Sequence, residues 1–297
     1  LHERSGWRHA LVALRQVALL VLAVAAILVA GNKPWVWLPA SIVIGFVVFS
    51  LTVLLHEVVH GTVTAKASPR LRQVLFYLYA IPSGLAPSQF TRWHLDHHRW
   101  LGHDVGDPKR QYLTPRRGTR WFKALYLTPA LFPIYFRAAR RAAADYPPEL
   151  RRRIQRERRL AILFHLLVLA ALVLGLGWPA ALKLHVIPVF FVFPVAFTLN
   201  RLGQHYDVDP ADPVRWGTVM RQSPLLWDRI FLWSNYHLEH HIYPGVPMYR
   251  LPALRRALDP LFEKHGAPVR SYAGLLWDWF GKNRAPHTDW SVSSTRS

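Results

Sequence analysis

The chain has 297 residues with no cysteine, 37 Lys+Arg against 17 Asp+Glu, 52% hydrophobic residues and a mean hydropathy of +0.10. Without thiols, it can hold no disulfide, thiolate zinc site, cysteine-ligated iron–sulfur cluster or cysteine nucleophile. A net charge of +20 would suit nucleic acid, but the long apolar runs argue for a membrane protein with one basic side and no nucleic-acid partner.

Four stretches carry the ~20 apolar residues that a bilayer crossing needs, at about 10–30, 35–55, 160–178 and 179–199. The first follows Arg4 and Arg8 and has the layout of a signal peptide, but a second span comes at once after GNKP, so it reads as an uncleaved helix. The GLGWP turn joins the last two, which makes two helical hairpins. Between the hairpins, LRQVLFYLYAIPSGLAPSQF and WFKALYLTPALFPIYF are apolar but broken by proline. They are expected either as buried core helices or as segments at the membrane interface. PPELRRRIQRERR reads as a solvated juxtamembrane helix touching anionic headgroups. The tail from Asn283 reads as disordered.

The expected fold is thus a single all-α integral membrane domain over 1–297, with polar regions at 56–159 and 200–282 and a tail at 283–297. Basic residues number 20 in 56–159 and 12 in 200–297, while the hairpin turns offer only Lys33 and, just inside the fourth span, Lys183. The positive-inside rule then places both termini and both polar regions in the cytoplasm, and a bacterial cytoplasmic membrane is the expected setting.

The histidines carry the chemistry. Nine of the 16 fall in four places: His56 and His60 in HEVVH, His94, His97 and His98 in HLDHH, His205 in GQHYD, and His237, His240 and His241 in HLEHH. An HxxHH string arises by chance in roughly one such chain in twenty and a pair in about one in a thousand, so the pair is informative. Neutral imidazole is the commonest metal ligand, and i, i+3 and i+4 share a helix face, so each cluster is expected to aim its rings at one point. A continuous helix over 35–60 spans ~39 Å, longer than the ~30 Å hydrocarbon core. HEVVH therefore emerges on the side that holds the other seven rings. The remaining histidines read as hydrogen-bonded core or interface residues. Asp96 and Glu239 inside the boxes, and Asp104, Asp107 and Asp207 nearby, are candidates to accept the second N–H of a ligating ring. Asp209 and Asp228 belong to the same pool, and for each acid the competing expectation is a solvated or salt-bridged role.

HExxH, then HxxHH, then a lone His after the fourth span, then HxxHH in SNYHLEHHIYPGVP resembles the membrane fatty acid desaturase and hydroxylase superfamily, over roughly residues 35–258. The resemblance implies four transmembrane helices and a cytoplasmic helical cap holding two non-haem irons. The implied ligands are His56, His60, His94, His97, His98, His205, His237, His240 and His241. The implied reaction uses O2 and two electrons to desaturate the acyl chain of a membrane lipid. With no dinucleotide loop, P-loop or cytochrome b5-type haem segment in the chain, the electrons are expected from a soluble ferredoxin or cytochrome b5-like donor. Basic residues such as those of the Arg116–Arg120 stretch are expected to steer an acidic donor.

Acyl-CoA desaturases of this type place an Asn four residues before the lone His, whereas Asn200 lies five before His205. Gln204-His205-Tyr206 also resembles membrane alkane hydroxylases. A hydroxylase or ketolase acting on alkane, carotenoid or lipid is therefore the alternative on this scaffold. More remote are an intramembrane HExxH zinc protease, with Glu57 activating water, and a non-enzymatic metal carrier.

Overall fold

The structure, a computed structural model, describes residues 1–65, 67–103, 106–113, 119–206, 212–223 and 226–283. The first hairpin is α1 (Gly6–Ala30) and α2 (Pro34–His60). Proline at the first turn of α2 costs no hydrogen bond there. Gly61, at φ 66, stops the helix one residue past His60 with its N–H on the Val58 carbonyl, a left-handed cap that favours glycine. α2 is thus continuous from membrane to histidine box.

Helices α3 (Pro69–Ala80), α4 (Pro87–Arg99), α5 (Arg120–Leu125) and α6 (Leu131–Ala142) follow, and then α7 (Pro148–Leu176) and α8 (Trp178–Gln204) form the second hairpin. Among the described residues four helices, α1, α2, α7 and α8, are long and apolar enough to cross a membrane. α7 joins the expected juxtamembrane helix and the span expected from about 160 into one helix, since hydropathy marks only what a bilayer covers. α8 is π-helical over Leu182–Val192 around Pro188, as expected where a proline removes a backbone donor. It packs closely on α2: a Cβ at Gly45 would lie 2.4 Å from the Val192 Cβ and 2.8 Å from the Pro188 carbonyl oxygen, so glycine sets the approach. Lys183 Nζ donates to the Gly31 carbonyl (2.8 Å) and the Asn32 side chain (2.9 Å), which holds both hairpin turns at one end. All nine clustered histidines lie at the other.

The linker elements differ from one another. α3 leaves Leu71, Val74 and Leu78 exposed along one face, the geometry of a helix lying in the membrane–water interface. α6 instead buries Leu131, Ala138, Ala139 and Ala142, and the three alanines pack on Trp93 of α4. The arginine-rich start of α7 is more than a solvated helix. It buries Ile154 and Glu157, and Glu157 accepts the Ser88 N–H (2.9 Å) and hydroxyl (2.6 Å) at the start of α4. Gln89 donates to the Ala139 carbonyl (2.7 Å) and accepts from Arg158 (2.9 Å). The helix bearing the second histidine box is thus tied to both α6 and α7.

After α8 come a two-residue parallel pair, β1 (Val219–Met220) with β2 (Val269–Arg270), and the helices α9 (His237–Ile242) and α10 (Leu251–Lys264). Leu232 and Trp233 precede α9 with φ of 48° and 59°, strain of roughly 1–3 kcal/mol each for residues with side chains. Asp228 steadies this approach by accepting from the Asn235 amide (2.9 Å) and the Tyr236 hydroxyl (2.7 Å). The tail expected to be disordered lies, beyond Asn283, outside the described residues.

Candidate metal centre

The nine histidines converge as two sets. His56, His60, His94, His98 and His240 form one, and His97, His205, His237 and His241 the other; within each set one nitrogen per ring lies within 4.8 Å of all the rest. In the five-ring set Nε2 atoms approach at 2.6 Å (His60–His94) and 3.0 Å (His56–His240 and His98–His240). In the four-ring set the separations are 2.8 Å (His97–His205), 2.7 Å (His205–His237) and 3.0 Å (His237–His241). The sets adjoin where His98 and His241 stack, with ring centroids 4.2 Å apart and planes 19° from parallel.

The expectation that each cluster aims at one point is corrected by this geometry. Rings at i and i+4 share a set: His56 with His60, His94 with His98, His237 with His241. The ring at i+3 goes to the other set, since neighbouring positions on a helix point about 100° apart. α4 gives two rings to the five-ring set and His97 to the other, while α9 gives two to the four-ring set and returns His240. Each HxxHH box therefore straddles both sets.

Hydrogen bonds at the far ring nitrogens test whether a cation fits. His97 Nδ1 lies 3.0 Å from both oxygens of Asp107 and His205 Nδ1 3.1 Å from the Trp216 carbonyl. Both partners only accept, so Nδ1 carries the proton in each ring and Nε2 presents a lone pair. Two lone pairs facing at 2.8 Å repel each other unless a cation lies between them. Burial, and then neighbouring rings or other cations, push His94, His98, His237, His240 and His241 far below the usual imidazole range. The neutral, metal-binding form is favoured. Four or five imidazole nitrogens per set suit a divalent transition ion such as iron.

Of the candidate acids, Asp107 alone among the described residues reaches one of the nine rings by a hydrogen bond. It also accepts the N–H groups of Gly102 (3.0 Å), Lys109 (2.9 Å) and Arg110 (3.4 Å). Asp96 turns to the surface and pairs with Arg92 at 2.6 Å, because its place on α4 faces away from the rings. Glu239 is buried but faces α10, bound to Arg255 at 3.0 Å, and burial raises its carboxyl to about 7. Asp228 serves the approach to α9. Asp104, Asp207 and Asp209 lie outside the described residues, as do Arg116 and Arg117; Arg120 donates to the carbonyls of Phe280 and Gly281. Glu57 accepts from the Thr62 hydroxyl (2.7 Å) and the Met248 N–H (3.0 Å), and lies 3.7 Å from His56 Nδ1. Those two bonds hold it as a structural acceptor rather than as a base aimed at water.

A cavity abuts both sets, lined by His56, His94, His237 and His240 and walled by Phe49, Val53, Leu85, Phe90, Trp93 and Leu232. Its polar side comes from α8, where Phe197, Asn200, Arg201 and Gln204 follow the i, i+3, i+4, i+7 spacing of one helix face. Asn200 is no part of either histidine set; it donates to Ser234 (2.7 Å) and accepts from Gln204 (2.7 Å). Lys109 also lines the cavity, and burial beside Arg201 pushes its ammonium down to about 7. A second, more open recess by Trp100, His103 and Trp216 reaches His98 and His241. Neither Lys109 nor Arg201 stands out by composition, although the face spacing of α8 holds the signal for the latter.

Residues 32–273 match the protein family described as fatty acid desaturase. Among curated proteins the chain is 30% identical to the sphingolipid delta(4)-desaturase/C4-monooxygenase DES2 of Homo sapiens, over 89% of this chain and 78% of that protein. It is 28% identical to the Bos taurus protein of the same name, over 82% and 72%. The chloroplastic omega-3 fatty acid desaturase of Glycine max is 26% identical over 98% of this chain and 70% of its own length.

Proposed function

The chain belongs to the fatty acid desaturase family, and from that premise we propose that it is a membrane di-iron oxidoreductase that introduces a double bond into the acyl chain of a lipid. The observation that carries this reading is the pair of interleaved histidine sets beside an apolar cavity, one of which holds the facing lone pairs of His97 and His205 that call for a cation. The nine rings would hold two irons, which with O2 and two electrons supply an oxidant able to take hydrogen from an unactivated C–H bond. The balance is one CH2–CH2 unit, O2, two electrons and two protons, giving CH=CH and two waters.

The chain's own residues hold and orient. Phe49, Val53, Phe90, Trp93 and Leu232 line a path that keeps an alkyl chain against His56, His94, His237 and His240 and excludes water. Asp107 and the Trp216 carbonyl fix two ring orientations from behind. Electrons come from a soluble one-electron carrier, and the recess at His98 and His241 is the open approach to both sets. Hydroxylation of the same carbon is the second reading, favoured by relatives whose name joins desaturase and monooxygenase. A zinc protease would leave seven rings unused, and a metal carrier has no use for the cavity.

Lipid profiling of cells expressing the chain, against cells expressing His240→Ala, tests the reaction. New double bonds should appear with the intact chain alone. A hydroxylated product by itself would favour the second reading, and unchanged lipids under iron-replete, reducing conditions would remove the proposal. Topology is tested separately: the basic-residue balance predicts that a reporter fused after Asn32 or Gly177 reads as external and one after Lys109 as cytoplasmic. An external signal at Lys109 would reverse the assigned orientation.

A further inference from the structure

Arg201 is out of keeping with its surroundings. It lies in the last turns of a membrane-crossing helix, one turn before His205 on the same face, and lines the cavity together with rings of both histidine sets. Its guanidinium makes no hydrogen bond or ion pair with any described residue, and the guanidinium carbon lies 5.9 Å from the centre of the Phe197 ring. The carboxylate closest to hand, Asp107, is already saturated by His97 and three backbone N–H groups.

A guanidinium carries five donors, and those of the half-buried Arg201 meet no acceptor of the described protein, which is costly beside an apolar wall once a ligand displaces water. The neighbouring groups do not relieve it. Asn200, Gln204 and Ser234 bond to one another, and Lys109 adds a second basic group to the same cavity. Two cations in the histidine sets would deepen this excess of positive charge. The missing partner is therefore an oxygen-bearing group brought in by the ligand, for which the planar guanidinium fork is well shaped.

We propose that Arg201 anchors the polar head of the lipid inside the cavity, confining attack to carbons a few bonds from that head. This rests on the lipid-oxidising function proposed above and adds to it where along the chain the reaction occurs. The positions of Arg201 and His205 differ by about 6 Å along the helix axis, so a head bound at Arg201 keeps the nearby carbons at the histidines and sends the rest of the chain along the apolar wall. The head is either the carboxylate of a fatty acid or the amide and hydroxyl oxygens of an N-acyl sphingoid lipid, and these share the acceptor chemistry that Arg201 requires.

The test measures equilibrium binding of three radiolabelled probes, palmitate, an N-acyl sphinganine and hexadecane, to the full chain in detergent, with Arg201→Gln and Arg201→Lys beside the unaltered protein. Elution volume and iron content identify folded variants. Arg201→Gln should weaken binding of the preferred oxygenated probe by about tenfold or more, the scale of a lost charged hydrogen bond, and leave hexadecane unchanged. Arg201→Lys should recover part of the loss, and product double bonds should scatter along the chain in Arg201→Gln. A loss confined to palmitate assigns a carboxylate head, and one confined to the sphinganine assigns a neutral head. Equal weakening of all three probes, or of none, overturns the anchor while leaving lipid oxidation standing. Failure of the unaltered protein to bind any of the three would remove the lipid reading itself, and the anchor with it.

Discussion

Replacing His240 with alanine should take the purified protein from two irons per chain to one or none and reduce lipid turnover by at least about a hundredfold. Outer hydrogen-bonding partners of a metal ligand already cost 10–100-fold when removed, and a direct ligand is expected to exceed that. His240 is the ring that α9 contributes to the five-ring set, and its Nε2 lies 3.0 Å from those of both His56 and His98. No other described histidine is placed to substitute. The fold should survive, since the ring packs against other site rings and the helix is held by Asp228, Tyr236 and Arg255. Elemental analysis with product assay on membrane-inserted protein checks this. Two irons and full turnover in the variant would remove the two-ion assignment, and one tightly held zinc without iron in the unaltered protein would point to a protease-like site.

Asp107→Asn should lower iron affinity and turnover by about 10–100-fold, with Asp96→Asn near neutral as its control. Both acids sit close to the second box in the chain, but Asp107 takes the His97 N–H and three backbone donors. Asp96 makes a surface pair with Arg92, a contact worth about 0–1 kcal/mol. Asparagine keeps the size of the side chain and loses the charge that fixes the His97 tautomer. Iron titration of both variants distinguishes them, and equal behaviour would mean that the carboxylate behind His97 has no part in metal binding.

The contrast shows what the sequence could express. All nine rings were legible, because HxxxH and HxxHH record helical spacing directly and spacing is a local property. Their division between two sets was not, since it depends on how α2, α4, α8 and α9 meet in space. Choosing Asp107 over Asp96 likewise required knowing where the chain turns after α4. The Trp216 carbonyl that holds His205 left no trace in residue type, because any residue offers a carbonyl. Hydropathy marked four apolar stretches, and the third joins the expected juxtamembrane helix as one continuous helix from Pro148, a continuity that hydropathy does not report. Arg201 was the avoidable omission: Phe197, Asn200, Arg201 and Gln204 already mark a mixed polar face at the end of an apolar helix.

The crossing-over of the boxes bears on thermodynamic linkage between the two ions. Neither α4 nor α9 would belong to a single ion: an ion in the five-ring set would orient both helices, and each of them also carries rings of the four-ring set. Part of the ordering cost of the second binding event would be met by the first, which is positive cooperativity and is reciprocal by necessity. Partial occupancy of the proposed di-iron site would then be disfavoured, and protein short of iron would distribute it as filled and empty molecules rather than as half-filled ones.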